Sequence, residues 1–188
     1  VALLFIVGCS KQQTEQVTVR FGVLPVLQAL DVFYAQEKAL FANVGVEVEL
    51  IPFATATEKD LALSTGQIDG CFADLFTPIV LAGNGVELDI VAVNYDTRED
   101  RHMFAVLGGP GKGYETLADL ADVPVAISSN SVIHHVTETL MKDAGVAEDQ
   151  IATLEAKNIG LRMQMLMSGQ VEAATLPEPL ASAAVAGG

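Results

Sequence analysis

GQIDGCFADLFTPIVLAGNG (residues 66–85) lines up with GQVEAATLPEPLASAAVAGG (residues 169–188). Each runs Gly-Gln, a β-branched residue, an acid, small residues, a proline, and then a helix-like stretch of small residues. Upstream, FANVGVEVEL (residues 41–50) echoes MKDAGVAEDQI (residues 141–151), with Gly45 and Gly145 each placed to close a helix at positive φ. Both pairs are offset by about a hundred residues, the size of one compact unit. The chain therefore reads as two copies of that unit.

Each copy predicts the same alternation of strand and helix. In the first, residues 17–23 form a strand, 29–42 a helix, 46–51 a strand, 57–65 a helix, 70–73 a short strand, 76–82 a helix, and 88–93 a further strand. In the second, 123–128 form a strand and 132–144 a helix, with Ile133, Val136, Leu140 and Ala144 at helical spacing. A weak strand at 151–154, a helix at 160–167, a strand at 171–176 and a helix from Pro179 follow. Such alternation predicts an α/β protein of two lobes, each a parallel sheet with helices on both faces. The charged segment 96–102 reads as the interlobe connection between lobe 1 at 17–95 and lobe 2 at 103–188.

Composition narrows the function classes. With 188 residues, 51% hydrophobic and 18% charged, the chain is globular. Its 24 acidic against 10 basic residues give a net charge of −14, which repels nucleic acid and anionic lipid surfaces. No run of bases offers a phosphate-tracking patch.

The opening VALLFIVGCS is too short an apolar run to span a bilayer, which takes roughly 20 residues. It reads as the end of a secretory signal, and Ile6-Val7-Gly8-Cys9 resembles the bacterial lipobox, which implies lipidation of Cys9. Residues 1–16 would then be a signal remnant and tether, and the protein an extracytoplasmic lipoprotein anchored to a membrane. The other cysteine, Cys71, has no CxxC partner and reads as core.

The order of FGVLPVLQAL (residues 21–30), CFADLFTP (71–78), VAISSNSVIHH (125–135) and GQVEAATLPEP (169–179) resembles the solute-binding proteins of ABC importers. The nitrate, sulfonate, taurine and thiamine-precursor subgroup is the most similar in appearance. The resemblance implies a type II periplasmic-binding-protein fold, in which two lobes close on one small-molecule solute and deliver it to an ABC permease, with the receptor a monomer. Proteins of that family continue beyond the second lobe, so the expectation is a fragment whose lobe 2 lacks its last C-terminal elements.

In an open α/β sheet, ligands lie outside the carboxyl ends of the strands, where helix N-termini favour anions and acceptors. Four loops meet that description, at residues 24–28, 74–77, 129–131 and 176–179. Ser129, Asn130 and Ser131 can cap the next helix or contact a ligand. Asp74 can accept from a ligand amine or cap the helix from Phe76, with Leu75 beside it, and if it faces the cleft a strongly anionic ligand needs a cation such as Arg101 or Arg162 to offset it. Glu178 is aimed by Pro177 and Pro179. Pro25 and Leu27 supply an apolar wall, and Phe76 or Tyr95 a stacking ring.

Catalytic and metal motifs are weak. GGPGKG (residues 108–113) lacks Walker A spacing, and neither GxSxG nor HExxH occurs. His134 and Glu138 are four apart on one helical face, but the adjacent His134 and His135 point about 100° apart and cannot share one ion. The expectation is a binding protein without cofactor or metal. Two rivals remain, a cytoplasmic enzyme on the same fold, of the thiamine-pyrimidine or menaquinone-precursor type, and a ligand-sensing effector domain.

Overall fold

The computed structural model describes residues 17–95, 98 and 100–188. Alternating Val17, Val19, Phe21 and Val23 build β1 (Val17–Val23), which pairs in parallel with β2 (Val46–Pro52) along its whole length and with the two-residue β3 (Gly70–Cys71). The first sheet therefore has the order β2-β1-β3. Parallel neighbours need crossover connections. Those are α1 (Leu30–Glu37) with α2 (Leu40–Asn43), and α3 (Ala56–Ser64); α4 (Phe76–Gly83) follows β3.

The second half begins with β4 (Phe104–Gly108), then β5 (Val125–Ile127), α5 (Val132–Asp143), β6 (Thr153–Glu155), α6 (Ile159–Met167), β7 (Ala173–Pro177) and α7 (Leu180–Gly187). Its sheet has the order β4-β7-β5-β6. Within it, β6-β5-β7 repeats the parallel arrangement of β2-β1-β3, so the internal repeat is a repeat of topology. The addition is β4, which lies antiparallel on the outer edge of β7. An antiparallel edge strand on an otherwise parallel sheet is a common mixed arrangement.

Both faces of the second sheet are covered. Val125, Ile127 and Ala173 point to one side, into a cluster with Ile133 and Met141 of α5. Ala126, Ala174 and Leu176 point to the other, against Leu166 of α6 and Ala181 and Ala184 of α7. In the first half burial is sparser: Val23, Leu24, Ala29, Ala62, Ile68 and Leu81 are buried, while Leu30, Tyr34, Leu61 and Ile79 are exposed.

Three local expectations are corrected. Residues 88–93 form no strand, and Ile90, Val91 and Val93 are exposed; β3 is only two residues long and gives a further strand little ladder to pair with. The helix at 29–42 is divided at Ala39, whose φ of 52° breaks the α-helical path between α1 and α2. The buried stripe of α5 is Ile133, Thr137 and Met141, with Leu140 exposed. Thr137 is accommodated because its hydroxyl donates to the Ile133 carbonyl at 2.6 Å and meets the Thr175 hydroxyl of β7 at 2.6 Å. Gly45 and Gly145 take the positive φ expected of them, 76° and 87°.

A surface staple ties β1 to the approach of β3. The Asp69 carboxylate accepts from the Arg20 amide at 2.8 Å and pairs with the Arg20 guanidinium at 2.6 Å. These hydrogen bonds hold the Asp69 carboxyl down at about 2. A carboxyl depressed in the folded state stabilises the fold above its unfolded value, about 3.9, and that contribution disappears as pH falls through the folded value. We therefore expect Asp69→Asn to flatten the fall of Tm between about pH 4 and pH 2, read by thermal melts across that range. An unchanged acid limb would refute the staple's role.

Candidate functional site

Strand ends of both halves face one another across a narrow cleft that opens to solvent. The first half contributes Thr55 and Thr57 after β2, Asp60 in α3, and Asp74, Phe76 and Thr77 after β3. The second contributes Ser128, Asn130, Ser131 and Val132 after β5, and Lys157 after β6. Two contacts bring the walls together: the Phe76 and His135 rings lie 5.5 Å apart, and the Ile159 amide donates to the Ala54 carbonyl at 3.4 Å. Helices α3, α4 and α5 all begin at this cleft, so their amide-rich ends converge on it.

The first-half wall is internally satisfied. Thr55 caps α3, accepting from the Glu58 amide at 3.1 Å. Asp74 caps α4 by accepting from the amides of Phe76, at 2.8 Å, and Thr77, at 3.3 Å. Burial pushes the Asp74 carboxyl up, against the pull of those two amides. Asp60 pairs at 2.6 Å with the buried ammonium of Lys59 and accepts from the Thr77 hydroxyl at 3.2 Å. Lys59 also donates to Cys71 Sγ at 3.4 Å, in a half-buried position where burial pushes the thiol pKa up.

The second-half wall is less satisfied. Ser131 is the N-cap residue of α5, but its hydroxyl donates backwards to the Ser128 carbonyl at 2.7 Å. Among the described residues, no side chain caps the first turn of α5. Asn130 sits at a φ of 57°, a left-handed position that asparagine tolerates, which lets the loop turn sharply beside the cleft. Its amide donates to His134 Nδ1 at 3.4 Å, and His134 Nε2 lies 3.2 Å from Glu138. This places the ring proton on Nε2, and His134 is engaged within its own helix.

Beneath this loop lies Arg162 of α6. It is fully buried. Its Nη1 donates to Ser128 Oγ at 2.8 Å and to the Ala156 carbonyl at 2.8 Å, while Nε and Nη2 have no partner among the described residues. Burial pulls its pKa down to about 10, with Glu155 acting in the opposite direction. The guanidinium is still charged at neutral pH.

The expected site residues divide. Asp74, Asn130 and Ser131 line the cleft. Ser129 is adjacent, its amide bound to Glu155 Oε2 at 3.1 Å. Leu75 is 76% exposed and outside the cleft lining, and Pro25 and Leu27 are also outside it. The Leu27 amide instead donates to the Glu178 carbonyl at 2.8 Å, joining the corresponding loops of the two halves. Glu178 caps α7, accepting from the Ser182 amide at 3.1 Å and hydroxyl at 2.9 Å, and borders a separate shallow groove with His102. Cys9 lies outside the described residues.

Thr55, Thr57, Asp60, Ser128, Lys157 and Arg162 were not among the expected residues. The first three follow β2 and Lys157 follows β6, the equivalent edge strands of the two copies. The rule that selected the other loops, a strand's carboxyl end followed by a helix, applies equally to ATATEKD and EAKNIG. The sequence offers Arg162 only as a cation that offsets Asp74; nothing in its apolar helix marks its burial or its link to Ser128.

Among the described residues, no group of three or more His, Cys, Asp or Glu is placed to hold a metal ion, and no helix is long and apolar enough to cross a membrane.

The model of the NMT1-like family matches residues 12–188. A search of curated proteins finds no match. Among solved structures, the chain is similar to the periplasmic aliphatic sulphonate binding protein of Escherichia coli, at TM-score 0.71 and 22% identity over 92% of this chain and 58% of that one. It is similar to the alkanesulfonate-binding protein of Xanthomonas axonopodis pv. citri bound to MOPS, at TM-score 0.70 and 20% identity, with the same coverage of 92% and 58%. It is also similar to the zinc-bound ligand-binding component of an ABC-type import system from Staphylococcus aureus, at TM-score 0.75 and 18% identity, again over 92% and 58%. The chain thus spans 58% of the length of these structures. The family match over nearly the whole chain, with the repeated sheets and the cleft between them, shows that this chain belongs to the NMT1-like family and has the two-lobed α/β fold of periplasmic binding proteins.

Proposed function

We propose that this protein is the receptor of an ABC importer, capturing a small polar solute between its two lobes and passing it to the permease without chemistry. The observation that carries this reading is the cleft: loops from both halves of the repeat converge on it. Ligand contacts from both walls favour the closed arrangement, and the permease recognises that arrangement. Asp74, Asn130 and Ser131, joined by Thr55, Thr57, Ser128 and Lys157, are the proposed contacts. The family membership and the named import proteins of the same fold support the reading.

The test is native mass spectrometry of the full-length protein after incubation with a metabolite mixture. The expected result is a one-to-one adduct whose solute is released unchanged. Recovery of a chemically altered product would overturn the receptor reading in favour of an enzyme.

The proposal extends to location. Lobe 1 at 17–95 and lobe 2 at 103–188 act as a monomer outside the cytoplasm, tethered through a lipid on Cys9. In cells fed labelled palmitate, the wild type is expected to take up label, and Cys9→Ser to abolish it and release the protein from the membrane fraction. Equal labelling of both would reject the anchor.

A further inference from the structure

We infer that Arg162 makes the second-lobe wall of the cleft a seat for an oxoanion: the guanidinium positions the Ser128 hydroxyl and supplies the charge that a sulfonate, phosphonate or carboxylate group balances when the solute binds. This rests on the solute-binding reading and names the chemistry of that same site.

A buried charge is costly unless it is paired and hydrogen-bonded. Arg162 is fully buried yet carries no carboxylate partner among the described residues, and its Nε and Nη2 are unsatisfied. The two carboxylates that line the cleft are engaged, Asp60 by Lys59 and Thr77 and Asp74 by the amides of α4, while Glu155, which acts on Arg162 without a hydrogen bond to it, accepts from the Ser129 amide. The cation is connected to the cleft by one bond. Ser128 Oγ accepts from Nη1 at 2.8 Å, and Ser128 itself lines the cleft. With one lone pair engaged by a cation, that hydroxyl is polarised as a donor, and its only acceptor among the described residues is the Lys157 carbonyl at a long 3.3 Å. Beside it are the uncapped first turn of α5 and the exposed Lys157. A cation, a hydroxyl and an uncapped helix N-terminus at one wall together present donors and positive charge, which favour an oxoanion over a neutral amide, whose carbonyl brings no charge, and disfavour an ammonium, which has no acceptor. Arg162 is therefore a positioning residue, acting on the solute through Ser128.

The test is calorimetric titration of the full-length protein at neutral pH with paired probes: propane-1-sulfonate against propane-1-sulfonamide, propanoate against propanamide, and methylphosphonate against its dimethyl ester. The wild type is expected to bind at least one anion about tenfold more tightly than its neutral counterpart, the worth of one charge-assisted hydrogen bond. Arg162→Met is expected to bring that ratio to within about twofold, and Arg162→Lys, which keeps the charge, to restore part of it. A merely structural role would weaken both members of a pair alike and leave the ratio unchanged.

An unchanged ratio in Arg162→Met, or a wild type that prefers the neutral member of every pair, overturns the oxoanion inference and leaves the receptor reading standing. A wild type that binds no probe and no component of a metabolite mixture overturns both. If Arg162→Met does not fold, Ser128→Ala decides: the inference requires a lower anion-to-neutral ratio and is overturned by the wild-type ratio.

Discussion

Replacing Asn130 with glycine and Ser131 with alanine in one protein is expected to weaken solute binding by about a hundredfold, whereas replacing His134 and His135 with alanine changes it by less than about threefold. Each removed side chain lines the cleft. A hydrogen bond to a charged group is worth roughly 1.5–3 kcal/mol, so the loss of two reaches or exceeds that factor. Glycine is the right replacement for Asn130 because its φ of 57° strains alanine and would confuse a lost contact with a distorted loop. Removing the Ser131 hydroxyl also frees the Ser128 carbonyl it holds at 2.7 Å, which loosens the loop. The histidines lack comparable roles: His134 is bound to Glu138 and to the Asn130 backbone amide, and the His135 ring packs at a tilt against Phe76. Calorimetry with the solute recovered by native mass spectrometry ranks the two variants. The reverse ranking would move the binding site away from the start of α5.

Leu176→Ala is expected to destabilise the protein by about 2–5 kcal/mol. Leu176 lies in β7, the strand between β4 and β5, and is fully buried against the α6 and α7 side of the second sheet. Truncation there loses the transfer free energy of the buried atoms and leaves a cavity that the alanines at Ala126, Ala174, Ala181 and Ala184 do not fill; the extent to which Leu166 and the flexible Met163, Met165 and Met167 repack sets where in that range the loss falls. Urea unfolding of the full-length protein, monitored by circular dichroism, measures the change. A loss below about 1 kcal/mol would show that the second-lobe core is less closely packed than described.

Much of the fold was legible because the repeat carries it. Gly-Gln followed by a β-branched residue, an acid and small residues identifies the same strand-to-helix corner twice, and the matched orders β2-β1-β3 and β6-β5-β7 are its consequence. The antiparallel placement of β4 was not legible, since the apolar run Phe104, Ala105, Val106, Leu107 carries no sign of strand direction and only its partner β7 sets the sense. Residues 88–93 carry strand-like composition, but pairing depends on the length of β3, which no local pattern encodes. The break at Ala39 has no glycine or proline to announce it.

The site was legible in part, for a related reason. Strand ends point to loops, and three of the eight expected solute contacts, Asp74, Asn130 and Ser131, line the cleft. Glu178, by contrast, is turned to its own helix, because the nearest donors are the amide and hydroxyl of Ser182 one turn on. Pro25 and Leu27 lie outside the lining. Arg162 was legible only as a cation able to offset Asp74: its role comes from burial and from what it lacks, a carboxylate partner, and both are properties of packing.

The central claim is that both halves of the repeat hold one solute between them, and hydrogen–deuterium exchange with and without saturating solute tests it most directly. The account predicts that protection rises together in peptides covering Thr55–Thr57 and Asp74–Thr77 of the first half and Ser128–Val132 and Lys157 of the second. Protection confined to one half, or centred on the groove between His102 and Glu178, would contradict it.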